Sequence, residues 1–130
     1  MSVQLDHTIV AAHDKAASAA FLADVLGLPS PAPVGPFVAV EIGNGLNFDF
    51  CDTDGDITPQ HYAFRVDEPE FDAIFGRIRE RALPYWADPH RTRPGEVAQR
   101  GLGRGFYFED PSGHFLEVLT RAPLAAVVGD

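Results

Sequence analysis

Hydrophobic and polar positions along the chain fall into two successive runs of the same order. From Val3 to Ala11 the residues read as a strand, after which Asp14 caps a helix whose apolar positions Ala17, Phe21, Val25 and Leu28 recur at helical spacing. Gly27 and Pro29 stop that helix. A Pro-rich turn leads to strands Phe37–Ile42 and Leu46–Phe50, joined by the hairpin signal Gly43-Asn44-Gly45. The polar segment Asp52–Pro59 is a linker, and His61–Val66 opens the second run as another strand. Asp67 and Glu70 form a capping box, with Pro69 in the first turn, and Phe71, Ile74, Phe75 and Ile78 then follow at i, i+3, i+4 and i+7. Beyond this helix come Pro84–Ala87, a loop through Gly103, a strand Gly105–Glu109, the turn Asp110-Pro111-Ser112-Gly113 and a strand Phe115–Leu119.

Sliding one run over the other by 54 positions places His7 on His61, Asp14 on Glu68 and Phe21 on Phe75. The expectation is one α+β domain over residues 1–130, with module one at about 3–51, a linker at about 52–59 and module two at about 60–121. Two such modules can curve their sheets round a shared cavity with the helices outside, where side chains from distant strands converge.

Composition narrows the partners. A chain of 130 residues, 45% hydrophobic and 22% charged, supports one apolar core, and a net charge of −9 disfavours nucleic acid and anionic membrane surfaces. The N-terminal residues lack the basic start and apolar stretch of a signal peptide, which suggests the cytoplasm. A single cysteine, Cys51, excludes an internal disulfide and fits a reducing compartment. Asp52–Asp56 has its acidic residues and glycine misplaced for a calcium loop, and Gly101–Gly105 precedes a strand rather than opening a helix, so it is a flexible loop and not a dinucleotide fingerprint.

Two histidines at equivalent module positions, His7 and His61, and a carboxylate in the last strand, Glu117, are the candidate metal ligands. Two imidazoles and one carboxylate leave coordination positions open, as catalysis requires. Strand alternation sets Asn47, Asp49 and Cys51 opposite Leu46, Phe48 and Phe50, on the face expected to line the cavity. Asp49 is the candidate catalytic base, with hydrogen bonding inside a polar cavity as its other reading. Asn47, Tyr62, Trp86, Arg91, Arg100 and Tyr107 are candidate substrate contacts, and the three aromatic residues among them are equally good core material. The arginines lie in a stretch from Asp88 to Arg104 that is locally basic within an acidic chain, either a solvated loop or a rim that attracts an anionic or polar aromatic substrate.

The segments Leu5-Asp6-His7-Thr8-Ile9, His61-Tyr62-Ala63-Phe64 and Phe106–Val118, the last containing Asp110-Pro111-Ser112-Gly113-His114-Phe115-Leu116-Glu117, resemble the ligand-bearing strands of the vicinal oxygen chelate superfamily, the glyoxalase/bleomycin-resistance/dioxygenase fold. The resemblance spans roughly Val3 to Arg121. It implies paired βαβββ modules forming a cupped mixed sheet, with His7, His61 and Glu117 at the ligand positions of a divalent Fe, Mn, Zn, Ni or Co. It admits isomerisation, epimerisation, ring-opening oxygenation and thiol addition. Fosfomycin-type thiol transferases carry a threonine two residues after the first histidine, where this chain has Ile9. The resemblance equally admits a metal-independent protein that sequesters an aromatic antibiotic or metabolite. A homodimer is the assembly it implies.

Overall fold

The computed structural model describes residues 2–120, the side chain of Arg100 excepted. The chain divides into two compact units. One runs to Pro59 and takes in Asp110–Gly113; the other comprises Gln60–Glu109 and continues from His114. The turn between the last two strands thus belongs by its contacts to unit one, although the sequence assigns it to module two.

Unit one is built from β1 (His7–Ala12), α1 (Lys15–Leu26), β2 (Ala32–Val34), β3 (Phe37–Gly43) and β4 (Leu46–Asp52), with sheet order β1-β4-β3-β2. The strand β1 pairs parallel with β4, His7 standing opposite Asn47 and Ile9 opposite Asp49. Asp14 caps α1 by accepting the Ala17 N–H at 3.1 Å, and Asp52, at the end of β4, accepts the Lys15 N–H at 2.8 Å. Gly27 closes the helix in the left-handed conformation, φ 71°, which a residue with a Cβ adopts only under strain. The buried face is Ser18, Ala19, Leu22, Ala23 and Val25, not the expected stripe through Ala17 and Phe21. In an Ala-rich segment the apolar period is nearly uniform round the helix, so the fit against Val10, Val40, Phe48 and Phe50 decides which face turns inward. The docked turn adds polar contacts: Ser112 Oγ accepts the His13 N–H at 3.1 Å and lies 3.2 Å from Ser18 Oγ.

Unit two repeats the plan with β5 (His61–Arg65), α2 (Glu68–Glu80), β6 (Ala98–Arg100), β7 (Gly103–Glu109) and β8 (Phe115–Leu119), in sheet order β5-β8-β7-β6. The capping box is present in full: Asp67 accepts the Glu70 N–H, and the Glu70 side chain accepts the Asp67 N–H. Phe71, Ile74 and Ile78 are buried on the inner face of α2, and Phe71 and Phe75 meet Phe106 with ring centroids 5.4 Å away in each case. Each unit is therefore one βαβββ module forming a four-stranded mixed sheet.

Several expectations about element boundaries are corrected. The short strands β2 and β6 fall where the sequence suggested a turn and a loop, Gly103 already belongs to β7, and Pro84–Ala87 contributes an isolated bridge at Trp86. The first strand starts at His7, later than Val3.

Candidate metal centre

Strand alternation divides each sheet into a face against its helix and a face away from it. In unit one, Val10, Ala12, Phe48 and Phe50 are buried, whereas His7 and Asp49 lie with Asn47, Ile9 and Cys51 on the other face. His7 is half-exposed, and its Nδ1 lies 2.8 Å from Asp6 Oδ2. That hydrogen bond holds the imidazole pKa above its ordinary value against the opposing effect of desolvation, and the negative charges of Asp6 and Asp49 add to the upward shift. The parallel β1–β4 pairing thus brings His7, Asn47 and Asp49 onto one face of unit one.

In unit two, His61, Phe115, Glu117, Tyr107 and Glu109 share the face away from α2: His61 stands opposite Phe115, and Tyr107 opposite Glu117. His61 Nε2 lies 3.1 Å from Glu117 Oε1, with the glutamate side chain 8% exposed and the histidine side chain 47% exposed. His61 Nδ1 lies 3.1 Å from the carbonyl oxygen of Phe115. A carbonyl only accepts, so Nδ1 carries the proton, and the other ring nitrogen points at a carboxylate. Two electron-pair donors facing each other at this distance require a cation between them, either a proton or a metal ion. Two donors each about 2.1 Å from one ion stand about 3.0 Å apart when they bind at right angles, so the spacing fits a divalent metal.

Around this pair lies an aromatic surface. The Tyr107 ring stacks on His61 (5.8 Å) and on Phe115 (5.4 Å), and Trp86 meets Phe115 at 6.0 Å. Trp86 is held by paired backbone hydrogen bonds with Tyr107, 2.9 and 2.8 Å. Arg91 lays its guanidinium over Phe115 (4.3 Å) and Trp86 (5.3 Å) and pairs with Glu109. Arg91 itself has φ 59°, and its loop is held by Asp88, which accepts the Thr92 N–H, the Thr92 hydroxyl and the Arg93 N–H. Trp86, Arg91 and Tyr107 are thus assembled on the His61–Glu117 face. Tyr62 is not: alternation turns it to the opposite face, where its ring meets the buried His114 edge-on at 6.0 Å. The Arg100 side chain lies outside the described residues. Phe115 and Glu109 also stand on this face, and the only sequence signal for them is their place beside Glu117 in the last strand pair.

Among the described residues no cluster of three or more His, Cys, Asp or Glu is close enough to hold a metal. His7 belongs to unit one, and the His61–Glu117 pair to unit two. No helix among the described residues is long and apolar enough to cross a membrane.

A sequence profile of the Glyoxalase/Bleomycin resistance protein/Dioxygenase superfamily matches residues 4–118. The chain belongs to that superfamily. Among solved structures it is similar to oxidase ChaP-H2, with 64% identity and TM-score 0.90 over 94% of this chain and 96% of that one. It is similar to oxidase ChaP-H1 at 56% identity and TM-score 0.90, covering 93% and 98% of the respective chains. Fosfomycin resistance protein FosX from Mesorhizobium loti, at 20% identity and TM-score 0.72 over 98% and 99% of the respective chains, shares the superfamily fold. Metallothiol transferase FosB from Shouchella clausii (strain KSM-K16) is 38% identical over 60 residues, 46% of this chain. The chain matches only 37% of that curated relative's length.

Proposed function

We propose that this superfamily member is a metal-dependent enzyme that oxidises a small molecule bearing adjacent oxygen atoms, with dioxygen as the oxidant. The observation that carries the reading is the His61 Nε2 facing a buried Glu117 carboxylate at 3.1 Å, its tautomer set by Phe115 O. The oxidative class is favoured over thiol addition by the similarity to two proteins named oxidases across more than nine-tenths of the chain. Ile9 in place of threonine two residues after His7 points the same way.

In this reading His7, His61 and Glu117 hold the ion in a homodimer. A divalent metal bound there would supply Lewis-acid polarisation of a substrate's oxygens and would stabilise negative charge that develops on them. Phe115 O orients His61, and Asp6 orients His7. Asp49, beside His7 on the same strand pair, is the carboxylate that accepts a substrate proton. Tyr107, Phe115 and Trp86 provide apolar area against which a planar substrate packs, and Asn47 offers an amide for hydrogen bonding.

The test is elemental analysis of untagged protein purified without chelators, followed by reconstitution with Fe, Mn, Ni, Co or Zn and measurement of dioxygen uptake with vicinal-oxygen substrates. Near-stoichiometric metal that disappears in His61→Ala, together with metal-dependent oxygen uptake, supports the reading. A parent that takes up none of these metals overturns it in favour of a sequestering protein.

A further inference from the structure

We propose that His114 is a positioning residue that sets the placement and tautomer of His61; its effect on metal binding rests on the site reading above. The ring of His114 is buried, 1% exposed, just ahead of β8. Its Nδ1 accepts the backbone N–H of Gln60 at 3.0 Å, so this nitrogen is bare. The carbonyl of the same Gln60 accepts the Phe115 N–H at 2.8 Å, and the carbonyl of Phe115 lies 3.1 Å from His61 Nδ1. Three hydrogen bonds therefore run in series between residues 60–61 and residues 114–115.

This series pins the first rung of the parallel β5–β8 pair, where His61 stands opposite Phe115. The rung needs a fastening from outside the regular ladder. Pro59 precedes it and has no N–H, and residue 60 lies outside β5. The imidazole acceptor on His114 takes the first N–H that the chain offers after the proline. Phe115 O is held in register by that fastening, and the same oxygen fixes the proton on His61 Nδ1 and leaves Nε2 directed at Glu117. A change at His114 thus reaches the candidate ligand through the backbone, without touching the ligand itself.

Two variants separate the acceptor from the bulk. His114→Phe keeps a buried ring and removes the acceptor; His114→Asn keeps an acceptor oxygen at the place of Nδ1. Outer partners of metal-bound histidines typically contribute about 10- to 100-fold in affinity. His114→Phe is expected to weaken Mn²⁺ binding by that factor in a titration. In the metal-free protein, where a proton occupies the His61–Glu117 contact, the ¹⁵N shift of His61 Nδ1 is expected to move away from that of a protonated ring nitrogen. His114→Asn is expected to restore both. Gln60→Pro deletes the donated N–H at an exposed residue, leaves the buried ring in place and is expected to reproduce the losses if His114→Phe does not fold. A folded His114→Phe or Gln60→Pro whose His61 ring shifts match the parent overturns the proposal. If the parent binds no Mn²⁺, the metal reading fails, and the His61 ring shifts alone decide the role of His114.

Discussion

Replacing Glu117 by Gln should leave the metal-free protein almost as stable as the parent while abolishing most of the stabilisation that a metal confers. Glu117 is 8% exposed on its side chain and faces His61 Nε2 at 3.1 Å. Gln has the same shape, and its amide hydrogen-bonds the ring in either state, since the carbonyl accepts and the NH₂ donates. The exchange should therefore change metal-free stability by no more than about 1 kcal/mol. For a chain of this size 1 kcal/mol corresponds to roughly 3–5 °C in Tm. A ligand at 100 times its Kd stabilises the folded state by about 2.7 kcal/mol, so Mn²⁺ at that level should raise the parent Tm by roughly 8–13 °C. Loss of the anionic ligand should weaken binding at least ~100-fold, by comparison with the 10- to 100-fold effects of outer partners. At the same metal concentration the variant then gains only about 0.4 kcal/mol, or roughly 2 °C. Differential scanning calorimetry with and without Mn²⁺ reads both quantities. Equal metal-induced shifts in the two proteins would refute the assignment. So would a metal-free Glu117→Gln protein that melts more than about 10 °C below the parent, because the carboxylate would then be a structural anchor.

Phe106, fully buried among Phe71, Phe75, Tyr85 and Phe108, should lose about 3–5 kcal/mol on substitution by Ala, and urea denaturation should show the midpoint falling accordingly. A loss under 1 kcal/mol would mean that the α2–β7 aromatic cluster does not hold unit two together. The Asp88 carboxyl sits below its usual range, chiefly through the Thr92 hydroxyl with help from the Thr92 and Arg93 N–H groups. A carboxyl whose folded pKa is depressed contributes stability that is present above its unfolded value of about 3.9 and is lost as pH falls through the folded value. Asp88→Asn cannot titrate, so its stability should decline less steeply than the parent's below about pH 4 in thermal melts; parallel curves would contradict the assignment.

The sequence carried the repeat because the physical signals are local: Asp14 and Asp67 cap their helices, Gly43-Asn44-Gly45 turns β3 into β4, and Phe115–Leu119 begins and ends where its turn and alternation place it. The short strands β2 and β6 were invisible because each has three residues, and pairing with β3 or β7 defines it. Strand pairing also explains why His61 and Glu117, separated by 56 residues, meet only once β5 runs parallel to β8. Tyr62 lies apart from the His61–Glu117 face because its neighbour His61 takes that face, so alternation sends it to the other. The stacking of Arg91 over Phe115 depends on a left-handed residue in a loop held by Asp88, a conformation that neither residue type announces. The attachment of Asp110–Gly113 to unit one likewise comes from the Ser112 hydrogen-bonding contacts with His13 and Ser18, more than ninety residues away in sequence.

The measurement that bears most directly on the three-ligand site is a Mn²⁺ titration by calorimetry of the parent beside His7→Ala, His61→Ala and Glu117→Gln, at a pH where the parent is saturable. If one ion is held by all three side chains, each variant loses affinity by at least about 100-fold. Parent-like affinity in His7→Ala would contradict the site by removing unit one from it, and undiminished affinity in His61→Ala or Glu117→Gln would place the ion elsewhere.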